Sequence, residues 1–488
     1  MSEVADEPRI ERVPTGIPGL DTILQGGLIK RGIYIIQGNP GAGKTIFGNQ
    51  ICFNHIERGG KAAFITLLAE SHARMMLNLS ALDFFDPKVI PKSLYYTSAF
   101  SALETEGLKG LLELVRREVR GHKASLLVID GLVAAEEFAE SDKELKKFVH
   151  ELQSQSSLYN CTTLLLTSGL GPRMMRPERT MVDGIIELTD HLFSSRRERR
   201  LEVAKFRGSG HLRGQHQFEI NNEGIQVYPR VESGWARPSL KDHGTREKIS
   251  VGIEGLDRMM NGGLPHGSTS MILGPPGSGK TSVGLHFLSC CTQEERGIYF
   301  SFYATRERAV HQAEKLGLDL ATLLDKGIVE FIWNPPTENL LDALGNQLLN
   351  AAAKPNVRRV FVDGMEGFKL ASSEPDRLIP FFTAIVNELR VRGITTLYTG
   401  ELRTAVGTGL ESPPLGISAA LENWIALRFA EVDSELRRSI TVFKARDSDA
   451  DVSVREFVIT DSGIRIGRPS GSKKRAKAKS KPGRGTGR

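Results

Sequence analysis

The sequence predicts an α/β protein built as two tandem domains, each a mostly parallel twisted sheet with helices on both faces. Three observations carry that prediction. Short apolar runs rich in β-branched residues alternate with longer amphipathic segments, the series occurs twice, and each copy opens with a glycine-rich strand-to-helix junction. IYIIQ (33–37), AAFITLL (62–68), SLLVID (125–130) and TTLLLTS (162–168) read as buried strands. KGLLELVRREVRG (109–121) and KELKKFVHELQSQ (143–155) lie between them with helical apolar spacing. In the second copy the strands are SMIL (270–273), GIYFSF (297–302), RRVFVD (358–363) and ITTLYTG (394–400). Strands joined through helices pair in parallel and are covered on both faces, hence their continuous apolar character.

The repeat extends over whole domains. TGIPGLDTILQGGL (15–28) returns as VGIEGLDRMMNGGL (251–264), and Asp21, Gly27 and Lys44 recur as Asp257, Gly263 and Lys280 at one spacing of 236 residues. KFRG (205–208) meets KARD (444–447) at a spacing of 239. Such a period is far too long for a solenoid and marks a domain duplication. The division is a first domain over 1–230, a linker over 231–248, a second domain over 249–467 and a tail over 468–488. The linker holds one proline, two glycines and dense charge, and the tail lacks any apolar residue larger than alanine, so the tail is expected to be disordered.

Composition narrows the setting. Of the 488 residues 40% are hydrophobic and 25% charged, as in soluble globular chains. No apolar run approaches the roughly 20 residues of a membrane span. The polar, acidic start argues against a secretory signal, and Cys52, Cys161, Cys290 and Cys291 form no metal-like cluster, so a cytoplasmic protein with reduced thiols is expected. The net charge of +6 is misleading. Nine cations and no acid fall within 468–488, which leaves the remainder at −3. The tail is either a solvated end or an electrostatic arm for nucleic acid or an acidic protein partner.

The junctions GNPGAGKT (38–45) and GPPGSGKT (274–281) each follow a predicted strand and open a helix, the context a phosphate cradle requires. Gly38, Gly41, Ala42 and Gly43, and in the second copy Gly274, Gly277, Ser278 and Gly279, let the backbone curl so that its N–H groups face phosphate oxygens. Lys44 and Lys280 reach the β- and γ-phosphates of ATP, the hydroxyls of Thr45 and Thr281 hold Mg²⁺, and Ile46 and Ser282 begin the helix. Asp130 and Asp363 end apolar strands, where an aspartate orients the hydration shell of that Mg²⁺.

The paired GIxGLDxxxxGGL leaders, the two cradles and the KxRG segments resemble the KaiC family, double-domain ATPases of the cyanobacterial circadian oscillator. The similarity runs from Val13 to about Gly467. The resemblance implies RecA-like domains stacked as two rings in a homohexamer, with ATP between neighbouring subunits. It also implies that Lys205, Phe206, Arg207, Ser209 and His211, and in the second copy Lys444, Ala445 and Arg446, meet the nucleotide of the adjacent protomer. The cation density of RRERRLEVAKFRG (196–208) is consistent with an anion docking there, and a cation supplied in trans accelerates phosphoryl transfer by roughly 10³–10⁵.

The halves differ where water must be activated. KaiC-like domains place two adjacent glutamates after the second strand. Here the first copy reads TLLAESH, with Leu68 or Ala69 in place of the first acid and Glu70 in place of the second. The second copy reads SFYATRER, with Tyr303 and Ala304 at both positions and Glu307 further along. Its trans segment has Asp447 for glycine and Ala450 for histidine, and Asp447, Asp449 and Asp451 could pair with Arg446. The family's phosphorylated Ser-Thr pair corresponds to Ser418 and Ala419. The expectation is slow hydrolysis in the first domain, ATP held in the second with weak or absent autokinase activity, and a regulatory role through protein partners. A serine autokinase of the clock type and a DNA-dependent ATPase of the RecA type are the alternatives; the acidic body offers no basic-aromatic loop for the latter.

Overall fold

The computed structural model describes residues 10–67, 72–168, 180–193, 195–241, 247–402, 420–432, 435–446 and 449–469. The chain divides into two compact units, Met1–Gly234 and Trp235–Arg488. The main sheet of the first unit holds nine strands: β1 (Ile33–Gly38), β2 (Ala62–Thr66), β3 (Leu94–Ser98), β4 (Leu126–Asp130), β5 (Thr162–Thr167), β6 (Gly184–Phe193), β7 (Arg196–Phe206), β8 (Gln215–Asn221) and β9 (Gly224–Tyr228). Their spatial order is 9-8-7-6-1-5-4-2-3. Strands β1 to β6 pair in parallel, and β7 to β9 continue the sheet antiparallel.

The second unit repeats this strand for strand. Its sheet comprises β10 (Thr269–Gly274), β11 (Arg296–Ser301), β12 (Val329–Trp333), β13 (Val357–Asp363), β14 (Thr395–Glu401), β15 (Asn423–Val432), β16 (Glu435–Ala445), β17 (Arg455–Thr460) and β18 (Gly463–Pro469). The order is 18-17-16-15-10-14-13-11-12, the first order with nine added to every strand.

Both faces of each sheet are buried. In β1 the side chains alternate, Tyr34 and Ile36 entering one core cluster and Ile33 and Ile35 the other. The helix α1 (Lys44–Glu57) sends Phe47 and Ile51 into the first cluster. Helices Phe100–His122 and Asp142–Leu158 send Leu111, Val115, Phe148 and Leu152 into the second. In the second unit one face is filled around Ile272, Phe287 and Phe361, and the other by an aromatic cluster of Phe300, Phe302, Phe368, Phe381 and Phe382 with ring centroids 5.1–5.7 Å apart. The edge strands β3 (LYYTS) and β12 (VEFIW) are half-buried, so neither writes the continuous apolar run that marks the inner strands.

The repeated leaders are structural. Asp21 accepts from the Thr15 N–H (2.8 Å), the Thr15 hydroxyl (2.7 Å) and the Gly16 N–H (3.0 Å), closing a tight turn. Asp257 accepts from the Ser250 hydroxyl (2.5 Å) and the Val251 N–H (2.8 Å). In the predicted linker, Val231–Gly234 is a short helix of the first unit. Trp235 stacks under the Arg392 guanidinium at 5.3 Å, and Ser239 donates through its N–H (2.8 Å) and hydroxyl (2.6 Å) to the buried Glu388. This stretch is therefore fastened to the second unit. Among the described residues no helix is long and apolar enough to cross a membrane, and the four thiols are unpaired.

Candidate functional site

Both cradles form at the C-terminal end of the central strand. Gly43 and Gly279 sit just before α1 and α2 (Lys280–Ser289), at φ 97° and 106°, a left-handed conformation glycine adopts without strain. A Cβ there would lie 2.6 Å from Ile220 Cδ1 and 2.9 Å from Ile459 Cδ1. Each lysine folds across its loop: Lys44 Nζ donates to the Gly38 and Asn39 carbonyls, and Lys280 Nζ to those of Gly274 and Pro275, at 2.8 and 3.0 Å in both units. Burial lowers both ammonium pKa values. Ala42 and Ser278 are buried inside the loops, Gly41 and Gly277 have φ 82° and 74° with open space where a Cβ would be, Ile46 packs on the core and Ser282 is buried.

Beside each cradle the threonine meets the strand-end aspartate. Thr45 Oγ1 donates to Asp130 at 2.8 Å, and Thr281 Oγ1 to Asp363 at 3.0 and 3.3 Å. This hydroxyl–carboxylate pair fits the needs of Mg²⁺, which when bound would neutralise β- and γ-phosphate charge. The two aspartates have different surroundings. Asp363 also accepts from the Thr399 hydroxyl (2.8 Å) and the Tyr299 hydroxyl (3.2 Å). Burial raises its carboxyl above the ordinary aspartate value while these three hydroxyls pull it back. By strand register the residues at those places around Asp130 are Phe64 and Leu166.

The cationic segments lie at the other end of the sheet. The Arg207 N–H bonds the Asp183 carbonyl and the Asp183 N–H the Ile33 carbonyl, which sets Arg207 level with the first residue of β1, whereas the cradle follows its last. Lys205 Nζ donates to the Thr180 carbonyl (3.0 Å), and Arg207 to the carbonyls of Thr180 (2.6 Å) and Met181 (3.4 Å). Phe206 stacks on Tyr34, with the His211 ring edge-on at 6.4 Å, and Ser209 accepts from Arg12. Arg446 bears the same relation to β10: its N–H bonds the Glu422 carbonyl, which is level with Thr269. Lys444 donates to the Leu421 carbonyl at 2.7 Å, and Ala445 pairs with Asn423.

A family model described as "ATPase: KaiC" matches residues 13–232 and 249–471. The chain belongs to the KaiC family of ATPases. It is 26% identical to the "Circadian clock oscillator protein KaiC" of Parathermosynechococcus lividus, over 96% of this chain and 86% of that protein. It is 27% identical to the "Circadian clock protein KaiC3" of a Synechocystis strain, over 94% and 92%. The relative from Prochlorococcus marinus is 24% identical over 94% and 93%. The family match bears out the ATP-binding reading, and the two nine-stranded sheets bear out the tandem α/β one.

Within this KaiC frame two sequence expectations are corrected. The first held that the second compartment has no acid where water must be activated, with Glu307 as the nearest carboxylate. Tyr303 and Ala304 do line it, and Glu307 instead serves the start of its helix, its carboxyl lowered by its own backbone N–H and by Thr305. However, Glu366 and Glu401 also line the cavity, of about 320 Å³, together with Lys280, Thr281 and Asp363. Register places Val133 and Ser168 at the equivalent positions of the first unit. Sequence reasoning looked for acids after the second strand and missed acids supplied after β13 and at the end of β14.

The second correction concerns charge on the trans segments. In 196–208, Arg196 and Arg200 pair with the buried Glu198, and Arg197 with Asp190, so several of those cations serve the sheet. Asp451 does not go to Arg446. It pairs with Arg455 and accepts from the Ser453 N–H, which holds its carboxyl at about 2. Leu68, Ala69, Glu70, Ser418, Ala419, Asp447 and the tail beyond 469 lie outside the described residues.

Proposed function

We propose that the chain binds Mg²⁺ and ATP in both units and assembles as a double-ring homohexamer. In this reading it hydrolyses ATP slowly in the first unit and mainly holds ATP in the second. The observation that carries it is the repeated cradle: two lysines on equivalent carbonyls, each beside a threonine–aspartate pair. Assembly is supported by the position of Arg207 and Arg446, each at the sheet end remote from its own cradle. Cations so placed are remote from the phosphate of their own unit, which supports a role at the nucleotide of another copy. Glu70 is the base we assign to the first unit, with Lys205 and Arg207 completing a neighbour's site.

The second unit departs from that arrangement through Tyr303 and Ala304, and with Ser418 as its single acceptor it performs little autophosphorylation. The clock names of the relatives support a signalling role, which we assign to the cytoplasm and to protein partners. Phosphate release by Lys44→Ala and Lys280→Ala, with native mass spectrometry on the same samples, tests the assignment. Lys44→Ala should remove most of the turnover and Lys280→Ala should weaken assembly. The opposite pattern would reverse the two roles.

A further inference from the structure

The second cradle is distinguished by what stands beside its lysine. Glu401 is the strand partner of Gly274, the first residue of the phosphate loop. The Gly274 carbonyl accepts both the Lys280 ammonium (2.8 Å) and the Leu402 N–H (3.2 Å), so the end of β14 is tied to the mouth of the cradle. Glu366 follows Asp363 by three residues, and one of its carboxylate oxygens accepts the Glu401 N–H at 2.7 Å. Both acids favour the charged form of Lys280 against its burial, and each does so more than Asp363. Among the described residues of the first unit the carboxylate acting on Lys44 is that of Asp130. On the cavity wall formed by the helix Arg306–Glu314 stand Arg308 and Gln312, one helical turn apart.

We infer that Glu401, positioned by Glu366, is the acid that holds and deprotonates the attacking water in the second compartment, in place of the glutamates absent after β11. The inference rests on the reading that this compartment binds ATP, and it assigns the residual turnover of that site. Asp363 sits at the end of a strand with a neighbour on each side. KaiC-like domains draw their acid from the side of β11, and here it comes from the side of β14. In the step, the water oxygen bonds to the γ-phosphorus while the bond from that phosphorus to the β,γ-bridging oxygen breaks. ADP leaves with the bond's electron pair, and the water proton passes to the Glu401 carboxylate and from there to solvent. The Glu366 oxygen that accepts the Glu401 N–H fixes the backbone at Glu401. Glu366 is thus a positioning residue.

The test uses the full chain carrying Lys44→Ala, so that phosphate release reports the second compartment, with fluorescent ATP-analogue binding measured in parallel. Glu401→Gln in that background should lower phosphate release by about 10²-fold or more, the usual effect of losing a general base, while analogue affinity changes by less than about threefold. It should also abolish the fall in rate on acidification that a carboxylate base produces. Glu366→Ala should lower the rate about tenfold and Glu366→Gln, whose amide oxygen can still accept the Glu401 N–H, much less, and adding Glu366→Ala to Glu401→Gln should make it no slower, because the two act as one unit. The inference is overturned if Glu401→Gln leaves the rate within about twofold, or if the Lys44→Ala chain binds the analogue and releases no phosphate. If Lys280→Ala leaves analogue binding by the Lys44→Ala chain unchanged, the binding reading itself fails and takes the inference with it.

Discussion

The two units share strand order, pairing and cradle geometry but surround their strand-end aspartates differently. Asp130 lies near Phe64 and Leu166, and Asp363 near Tyr299 and Thr399, whose hydroxyls it accepts. The first unit has Val133 and Ser168 where the second has Glu366 and Glu401. The duplication has kept the parts that grip a triphosphate, in which each backbone group and the lysine must be in place. It has let the acids around the reacting end diverge, because a carboxylate can reach that point from more than one strand.

The comparison can be broken most severely at the cradles. Alanine at Gly43 or Gly279 combines left-handed strain of about 1–2 kcal/mol with a Cβ only 2.6 or 2.9 Å from an isoleucine. Each should weaken ATP-analogue binding by its own unit at least tenfold and leave the other unit's binding intact. Gly43→Ala is expected to be the worse. Loss of both sites from either change would mean that the compartments are not independent.

A smaller effect is expected at the leaders. Asp21→Ala removes the acceptor of three hydrogen bonds and should cost its unit about 3 kcal/mol, and Asp257→Ala, with two, about 2. Hydrogen exchange resolved by unit would read this, and equal costs would contradict the hydrogen-bond count. Tyr299→Phe, which gives the second unit the first unit's side chain, should cost about 1 kcal/mol. It should also raise the Asp363 carboxyl further, since a donor that holds it down is lost.

The mildest contrast is one of pH. Gln50 and His286 do the same work: the Ile225 N–H donates to Gln50 Oε1 (2.7 Å) and the Ile464 N–H to His286 Nε2 (3.2 Å). Burial lowers the His286 pKa. Its contribution to stability is therefore complete above the unfolded histidine value, about 6.5, and is lost as pH falls through the lower folded value. The second unit should lose thermal stability as pH falls below about 6.5, a loss that His286→Gln should reduce, whereas the first unit's acid sensitivity should follow His55 and His72, whose pKa values burial also lowers.

Much of this was legible in the residues. The buried parallel strands announce themselves as β-branched runs because both faces are covered, and the cradles and their aspartates do so because phosphate binding leaves little freedom in residue type or spacing. The half-buried edge strands β3 and β12 carried too weak a pattern, since one side of each faces solvent. The charge-rich run 196–208 read as an anion site throughout, yet three of its arginines are consumed by acids within the sheet. Arg196 and Arg200 flank Glu198 at a spacing of two on one strand, a pairing that a count of cations overlooks, and only Arg197–Asp190 joins neighbouring strands and leaves no mark at a fixed spacing.

The sequence by itself determined the duplication, the α/β class and the two phosphate loops, because these depend on local conformation and on periodicity along the chain. Only the tertiary structure decided which acids stand beside the second lysine. Glu366 and Glu401 are 35 residues apart and reach one cavity because parallel pairing brings the ends of β13 and β14 to the mouth of β10. That juxtaposition is a property of the sheet and not of any segment within it.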